Sequence, residues 1–123
     1  MKEIVVVEDD PGLREALGRV LSAAGFRVAA FVSAEALLEA ELPEDTACCV
    51  FDIRLPGVSG LALARTLTSR GSTIPVIFMT AFDEPSVREE ARRIGAAGYL
   101  IKPFGGRELV EAVIGVVGVN AAS

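Results

Sequence analysis

The chain has 123 residues, of which 51% are hydrophobic and 24% charged, with 12 Lys and Arg against 17 Asp and Glu for a formal net charge of −5. These values fit one packed globular domain and exclude two ordinary domains or a disordered chain, and the acidic balance excludes direct contact with nucleic acid, which is driven by cationic neutralisation of phosphates. The sequence also contains no histidine, which removes Ser-His-Asp and Cys-His catalysis and His-ligated zinc.

The first apolar run, Glu3–Val7, is followed by the acidic triplet Glu8-Asp9-Asp10. Helical periodicity then places Leu13, Leu17, Val20 and Leu21 on one stripe, with Gly25 as the stop. A second strand is predicted over Arg27–Val32, after which Ser33 is a good N-cap for a helix carrying Leu37 and Leu38 and reaching Glu41. The run Ala47–Phe51 holds Cys48 and Cys49, which on a strand point to opposite faces and read as buried small hydrophobes. A third helix begins near Ser59, turns Leu61, Ala64 and Leu67 inward and ends by Gly71. The fourth strand, Pro75–Met79, leads through Thr80-Ala81 to a helix from about Pro85 to Ile94, stopped at Gly95. Gly98–Ile101 is the last strand, and the last helix starts near Gly106 with Leu109, Val113, Val116 and Val117 as its apolar face.

None of the five strand runs alternates cleanly with polar residues, as expected when both faces of a parallel strand are covered. Five strands alternating with five helices predict an α/β domain of the flavodoxin-like (βα)5 type. Its open parallel sheet would have the order 2-1-3-4-5 and helices on both faces. Residues 1–118 form that domain, and 119–123 read as a C-terminal tail or the start of a linker. No apolar stretch approaches a membrane span and the early acids would spoil a secretory leader, so the expectation is a cytoplasmic protein with no membrane contact.

In an open α/β sheet the site lies outside the carboxyl ends of the strands, near the reversal of strand order. Strand 1 there ends in Glu8-Asp9-Asp10, strand 3 in Asp52, strand 4 in Thr80-Ala81 and strand 5 in Lys102-Pro103. Taken singly, an acidic triplet is a solvated helix start and a lone Thr or Lys is surface. Together, on four adjacent strand ends, they converge. Carboxylates brought close repel unless a cation sits among them, and Lys102 supplies one charge only. A hard divalent ion held by Asp9, Asp52 and a loop carbonyl is the natural remedy, and an all-oxygen donor set points to Mg2+. A carboxylate can attack phosphorus to give an aspartyl phosphate. Phosphoryl transfer needs mainly positioning and charge neutralisation, for which a metal and Lys102 suffice. The Thr80 hydroxyl could bond a phosphoryl oxygen, with the small Ala81 leaving room.

The stretches Val5-Val-Val-Glu8-Asp9-Asp10, Phe51-Asp52-Ile-Arg54-Leu-Pro56-Gly57-Val-Ser-Gly60, Val76-Ile-Phe-Met-Thr80-Ala81 and Tyr99-Leu-Ile-Lys102-Pro103-Phe104 resemble the receiver domains of two-component response regulators. Each motif alone is weak, but the four agree in order and spacing from about Lys2 to Val117. The resemblance implies a phosphorylation switch in which Asp52 takes the phosphoryl group from a histidine kinase or histidine phosphotransfer protein. It makes Glu8 and Asp9 the acidic pair for Mg2+, with Asp52 and the backbone carbonyl of Arg54 as further ligands. Lys102 would pair with the phosphoryl group, Thr80 would be the switch hydroxyl, and Tyr99 the aromatic that swings inward. The Lys102-Pro103 bond is often cis in the family. Phosphorylation would bias the surface of helix 4, strand 5 and helix 5, with a homodimer as one outcome and transcription as the output, since the chain is similar to receivers that precede a helix-turn-helix domain.

Glu8 stands where Asp is commoner, and Asp10 is a third acid without a ligand role. By the same resemblance, Arg54 and Phe82 would occupy positions that vary in the family and tune autodephosphorylation; neither offers a group to position water, which implies a persistent phosphoryl state. The enzymatic alternative is a Mg2+-dependent phosphohydrolase with an Asp nucleophile, but those enzymes carry a second Asp where Arg54 stands. A nucleotide- or flavin-binding module would need a phosphate loop after strand 1, where three acids would repel phosphates. A receiver-like module that no longer takes phosphate is the third alternative, and the intact Asp9, Asp52, Thr80 and Lys102 set argues against it. Arg88, Arg92 and Arg93 give the fourth helix a basic edge, read as a solvated face with Glu89 and Glu90 pairing nearby.

Overall fold

The computed structural model describes residues 2–118. Five strands, β1 (Glu3–Val7), β2 (Arg27–Phe31), β3 (Thr46–Asp52), β4 (Val76–Thr80) and β5 (Gly98–Ile101), alternate with α1 (Pro11–Ala23), α2 (Ala34–Ala40), α3 (Gly60–Ser69), α4 (Pro85–Ile94) and α5 (Gly106–Val117). The strands form one parallel sheet in the order β2-β1-β3-β4-β5, as the sequence predicts. Predicted boundaries differ by a residue or so at several ends. The largest gain is in β3, which extends to include Asp52 as its last residue. The proposed tail, 119–123, lies outside the described residues.

Alternation along the strands divides the core in two. Val5, Val7, Cys49, Phe51 and Phe78 pack with Leu37, Leu61, Leu63 and Ala91 on one face. Ile4, Val6, Cys48, Val50, Ile77 and Met79 pack with Leu17, Leu21, Leu109 and Val113 on the other. Cys48 and Cys49 therefore fall on opposite faces, as read, and both are fully buried free thiols. Burial pushes the Cys48 thiol up to about 12 and the Cys49 thiol upward as well. Phe51 and Phe78, fully buried side by side on β3 and β4, each contribute on the order of 2 kcal/mol by leaving water.

The helix starts fix where the strand ends face. Asp10 caps α1, its Oδ1 accepting from Gly12 N at 2.9 Å and from Leu13 N at 3.4 Å, with Pro11 opening the helix. Ser33 and Ser59 cap α2 and α3 through Ala36 N and Ala62 N. Each cap ends a short loop from a strand's carboxyl end. The β1 and β3 ends adjoin where the strand order reverses, opening the crevice that holds the acids.

Candidate functional site

Glu8 follows β1 and is 1% exposed; Asp52 ends β3 at 5% and Thr80 ends β4 at 1%. Buried polar groups need partners, and these have them. Lys102, just after β5, donates from Nζ to Glu8 Oε1 at 2.7 Å and to Asp52 Oδ2 at 3.1 Å. The other Glu8 oxygen accepts from Asp10 N at 3.1 Å, and Asp52 Oδ1 accepts from Arg54 N at 3.2 Å. The ammonium thus bridges two buried carboxylates. Burial raises the Glu8 carboxyl above its ordinary value, an effect that the bonds from Lys102 and Asp10 oppose and the Asp52 charge reinforces. Burial also works against the charge on Lys102, yet its bonds to Glu8 and Asp52 hold its pKa above the usual lysine value.

Carboxylate oxygens of Glu8, Asp9 and Asp52 all lie within 4.8 Å of one another. This all-oxygen cluster fits a hard divalent cation such as Mg2+ in donor chemistry and size. Asp9 is the more solvent-accessible member, and Glu8 and Asp52 are buried. The Arg54 main chain reaches the cluster through its N–H, which donates to Asp52 Oδ1.

Glu8, Asp9, Asp52 and Lys102 are brought together, whereas the side chains of Thr80, Arg54 and Tyr99 are engaged elsewhere. The Thr80 hydroxyl accepts from Phe82 N at 3.0 Å and donates to Phe82 O at 3.2 Å, so it is engaged with its own loop. The Arg54 side chain bonds Glu84 Oε1 at 2.7 Å, and its guanidinium lies 4.2 Å from the centre of the half-exposed Phe82 ring. Tyr99 packs against the β1–β3–β4 core with its hydroxyl buried and unpartnered among the described residues. The Arg88 guanidinium lies 4.7 Å from the Tyr99 ring centre and is held there by two 2.9 Å bonds to Asp83. Ala81 and Pro103 are exposed at the rim, and the Lys102-Pro103 bond is cis. On α4, Arg92 and Arg93 pair with Glu89, and Glu90 pairs with Arg65 of α3. The basic edge is a neutralised face, as read.

Sequence reasoning missed four supports. Arg14 of α1 donates from Nη1 to the carbonyl oxygens of Glu8 at 2.8 Å and Asp9 at 3.3 Å. Glu35 of α2 accepts from Val58 N at 3.1 Å and so holds the β3–α3 loop. Gly60 lets α3 press against β3, because a Cβ there would sit 2.2 Å from the Asp52 carbonyl oxygen. Glu84 anchors Arg54 from 30 residues away. Only Gly60, after the N-cap Ser59, carried a local signal.

Comparisons with known proteins agree with this arrangement. The family model described as the response regulator receiver domain matches residues 4–114. The chain is 40% identical to the transcriptional regulatory protein FixJ of Azorhizobium caulinodans, over 94% of this chain and 55% of that protein. It is 39% identical to nodulation protein W of Bradyrhizobium diazoefficiens, over 90% of this chain and 49% of that protein. The chain therefore spans about half the length of these curated relatives. Among solved structures it resembles the non-phosphorylated HemR receiver domain from Leptospira biflexa with a TM-score of 0.88 and 29% identity, covering 95% of this chain and 94% of that one. It also resembles the response regulator StyR with a TM-score of 0.84 and 40% identity, covering 98% of this chain and 62% of that one. Five parallel strands in the order 2-1-3-4-5, an acidic cluster at their carboxyl ends and a family match across almost the whole domain lead to one assignment: the chain belongs to the response regulator receiver domain family of two-component signalling.

Proposed function

We propose that this domain is a phosphorylation-activated switch in which Asp52 accepts a phosphoryl group from the phosphohistidine of a partner kinase or phosphotransfer protein. The observation that carries the reading is the bridge from Lys102 to Glu8 and Asp52, because it puts the sole nearby ammonium of the strand ends on the nucleophile. An Asp52 oxygen would form the new bond to phosphorus as the P–N bond to the donor histidine breaks. Lys102 then has an anionic phosphoryl oxygen to bond at the place where it already meets Asp52. Asp9, Asp52, the Arg54 carbonyl and, through water, Glu8 would hold Mg2+. That ion would neutralise charge on the carboxylates and the phosphoryl oxygens.

Turnover is not the purpose. Position 54 offers a guanidinium bonded to Glu84 where a hydrolase needs an acid, and Phe82 roofs it with an apolar ring. These features support a domain that catalyses only its own phosphotransfer and a slow autodephosphorylation. Thr80 would leave Phe82 for the phosphoryl group, freeing the loop ahead of α4, and Tyr99 would respond across β4 and β5. The α4–β5–α5 surface would then change, whether toward a second copy or an output domain. The transcriptional regulators among the relatives, of which this chain spans about half the length, support a role in the control of transcription. No helix among the described residues is long and apolar enough to cross a membrane, and two buried free thiols suit the cytoplasm we propose.

The test is incubation with acetyl phosphate and Mg2+ followed by intact mass measurement. One phosphoryl group should be added to wild type and none to Asp52→Asn. No addition to wild type, or addition that survives Asp52→Asn, would overturn the assignment.

A further inference from the structure

Arg14 lies one turn into α1 and is partly buried, and both hydrogen bonds of its Nη1 go to main-chain oxygens, those of Glu8 and Asp9. A guanidinium four to six residues along the chain from three acids would ordinarily take a carboxylate, which is its best-matched partner. Here it does the opposite. It grips the two carbonyls that carry the acidic pair and leaves the carboxylates for other partners. The same segment is pinned at two more points: Asp10 caps α1 through Gly12 and Leu13, and Asp10 N donates to Glu8 Oε2. The turn from β1 into α1 is thereby closed from both ends. Of its three acids, Glu8 is engaged by Lys102 and Asp10 by the helix start, while Asp9 faces the more open side of the cluster.

We propose that Arg14 is a positioning residue for the divalent cation: its clamp on the Glu8 and Asp9 carbonyls fixes the main chain from which Asp9 presents its carboxylate to Asp52 and Glu8. The inference rests on the reading of Glu8, Asp9 and Asp52 as a Mg2+ site. Outer partners that orient metal ligands are worth about 10–100-fold in affinity, so a loss at the lower end of that range is expected when the clamp is removed.

The sign of the effect separates this role from the alternatives. A guanidinium beside a divalent cation repels it, so if Arg14 were only a nearby charge, removing it would tighten Mg2+ binding. If it only stabilised the turn, its removal would lower the melting temperature and leave affinity unchanged. If it positions Asp9, removal weakens binding despite the relief of repulsion.

The experiment is calorimetric titration of the whole domain with MgCl2 for wild type, Arg14→Met, Arg14→Lys and Asp9→Asn, with thermal unfolding of each in the absence of metal. The expected result is affinity about tenfold weaker in Arg14→Met, partial recovery in Arg14→Lys, whose shorter side chain keeps a cationic donor but not the guanidinium's reach and planar geometry, and no measurable binding in Asp9→Asn. Tighter or unchanged binding in a folded Arg14→Met would overturn the clamp while leaving the metal site intact. Unchanged binding in Asp9→Asn, or none in wild type, would overturn the metal site itself and the clamp with it. If Arg14→Met does not fold, Arg14→Lys alone decides: affinity equal to wild type overturns the proposal and a several-fold loss supports it.

Discussion

The Lys102 ammonium donates to Glu8 Oε1 at 2.7 Å, joining residues 94 positions apart in the chain across the carboxyl end of the sheet. Glu8 is 1% exposed and its desolvated carboxylate has no other cation bonded to it among the described side chains. Lys102 is thus the internal counter-charge of the cluster in the metal-free protein. Replacing it by Met should destabilise the metal-free domain by about 1–3 kcal/mol, the cost of leaving a buried polar group without its partner. Bound at the acidic cluster as proposed, Mg2+ should recover more of the melting temperature in Lys102→Met than it adds to wild type. Thermal unfolding with and without Mg2+ measures both; equal melting temperatures for the two metal-free proteins would remove Lys102 from this role.

Gly60 opens α3 directly behind Asp52. Its amide donates to Ile53 O at 2.9 Å, and a Cβ would fall 2.2 Å from Asp52 O and 3.1 Å from Ile53 Cα. Both neighbours are main chain, at the last residue of β3 and just past it, and cannot rotate away. Gly60→Ala should therefore cost about 1–3 kcal/mol of stability by overpacking and should slow phosphorylation by acetyl phosphate, because relief of the clash moves Asp52. Gly71→Ala has open space around its Cβ position and tests only the cost of a left-handed backbone without Gly. A Gly60→Ala protein as stable and as readily phosphorylated as wild type would show that the helix start adjusts freely.

The contrast between these two residues indicates what a sequence can carry. Strand order, the double core and the convergence of Glu8, Asp9, Asp52, Thr80 and Lys102 follow from period and alternation, because each functional residue sits directly after an apolar run. Cys48 and Cys49 were assigned to opposite faces by the pleat alone. Arg14, Glu35 and Glu84 are not legible, because each is a charged residue with no periodic signal: Arg14 and Glu35 lie on exposed or half-exposed turns of α1 and α2, and Glu84 stands just ahead of α4. Their roles come from reaching a main-chain atom or a charge across a loop, and only the fold sets those distances. Thr80 is expected just past a strand ending at Met79 and is instead the last residue of β4, while the bonds of its hydroxyl to Phe82 depend on a loop conformation with no periodic signal.

Tyr99 is the one tyrosine in a chain without tryptophan, so absorbance near the phenolate band reports it alone. Burial raises its phenol above the ordinary value of 10.0, with the Asp83 charge adding to the effect and Arg88 opposing it. An alkaline titration should therefore show a midpoint above 10.0 in the folded domain and an ordinary one in denaturant. A raised folded pKa means that the neutral phenol favours folding. That contribution is present below pH 10.0 and is lost as pH rises through the folded midpoint. Since the hydroxyl is buried without a partner, Tyr99→Phe should match or exceed wild-type stability at pH 7. A folded midpoint at or below 10.0, or a destabilised Tyr99→Phe, would mean that the hydroxyl has a partner in solution.

Arg54 joins the loop after Asp52 to the residue ahead of α4 through its 2.7 Å bond to Glu84. Both side chains are about half exposed, at 56% and 51%, so the pair is screened and worth about 0–1 kcal/mol. Neither Arg54→Asn nor Glu84→Gln should change the melting temperature by more than a degree or two. The kinetic effect should be larger. In wild type the guanidinium is held over Phe82 and no polar side chain at position 54 is free to place water against an aspartyl phosphate. A carboxamide at that position is short enough to stay at the site and can hold a water by hydrogen bonds. Arg54→Asn should therefore shorten the phosphoryl lifetime several-fold, followed as loss of the phosphorylated mass after removal of acetyl phosphate. Glu84→Gln keeps the guanidinium and should leave the lifetime within about twofold of wild type, because the neutral carboxamide still accepts its hydrogen bond. A lifetime in Arg54→Asn equal to or longer than that of wild type would show that water reaches the phosphoryl group by a route that position 54 does not control.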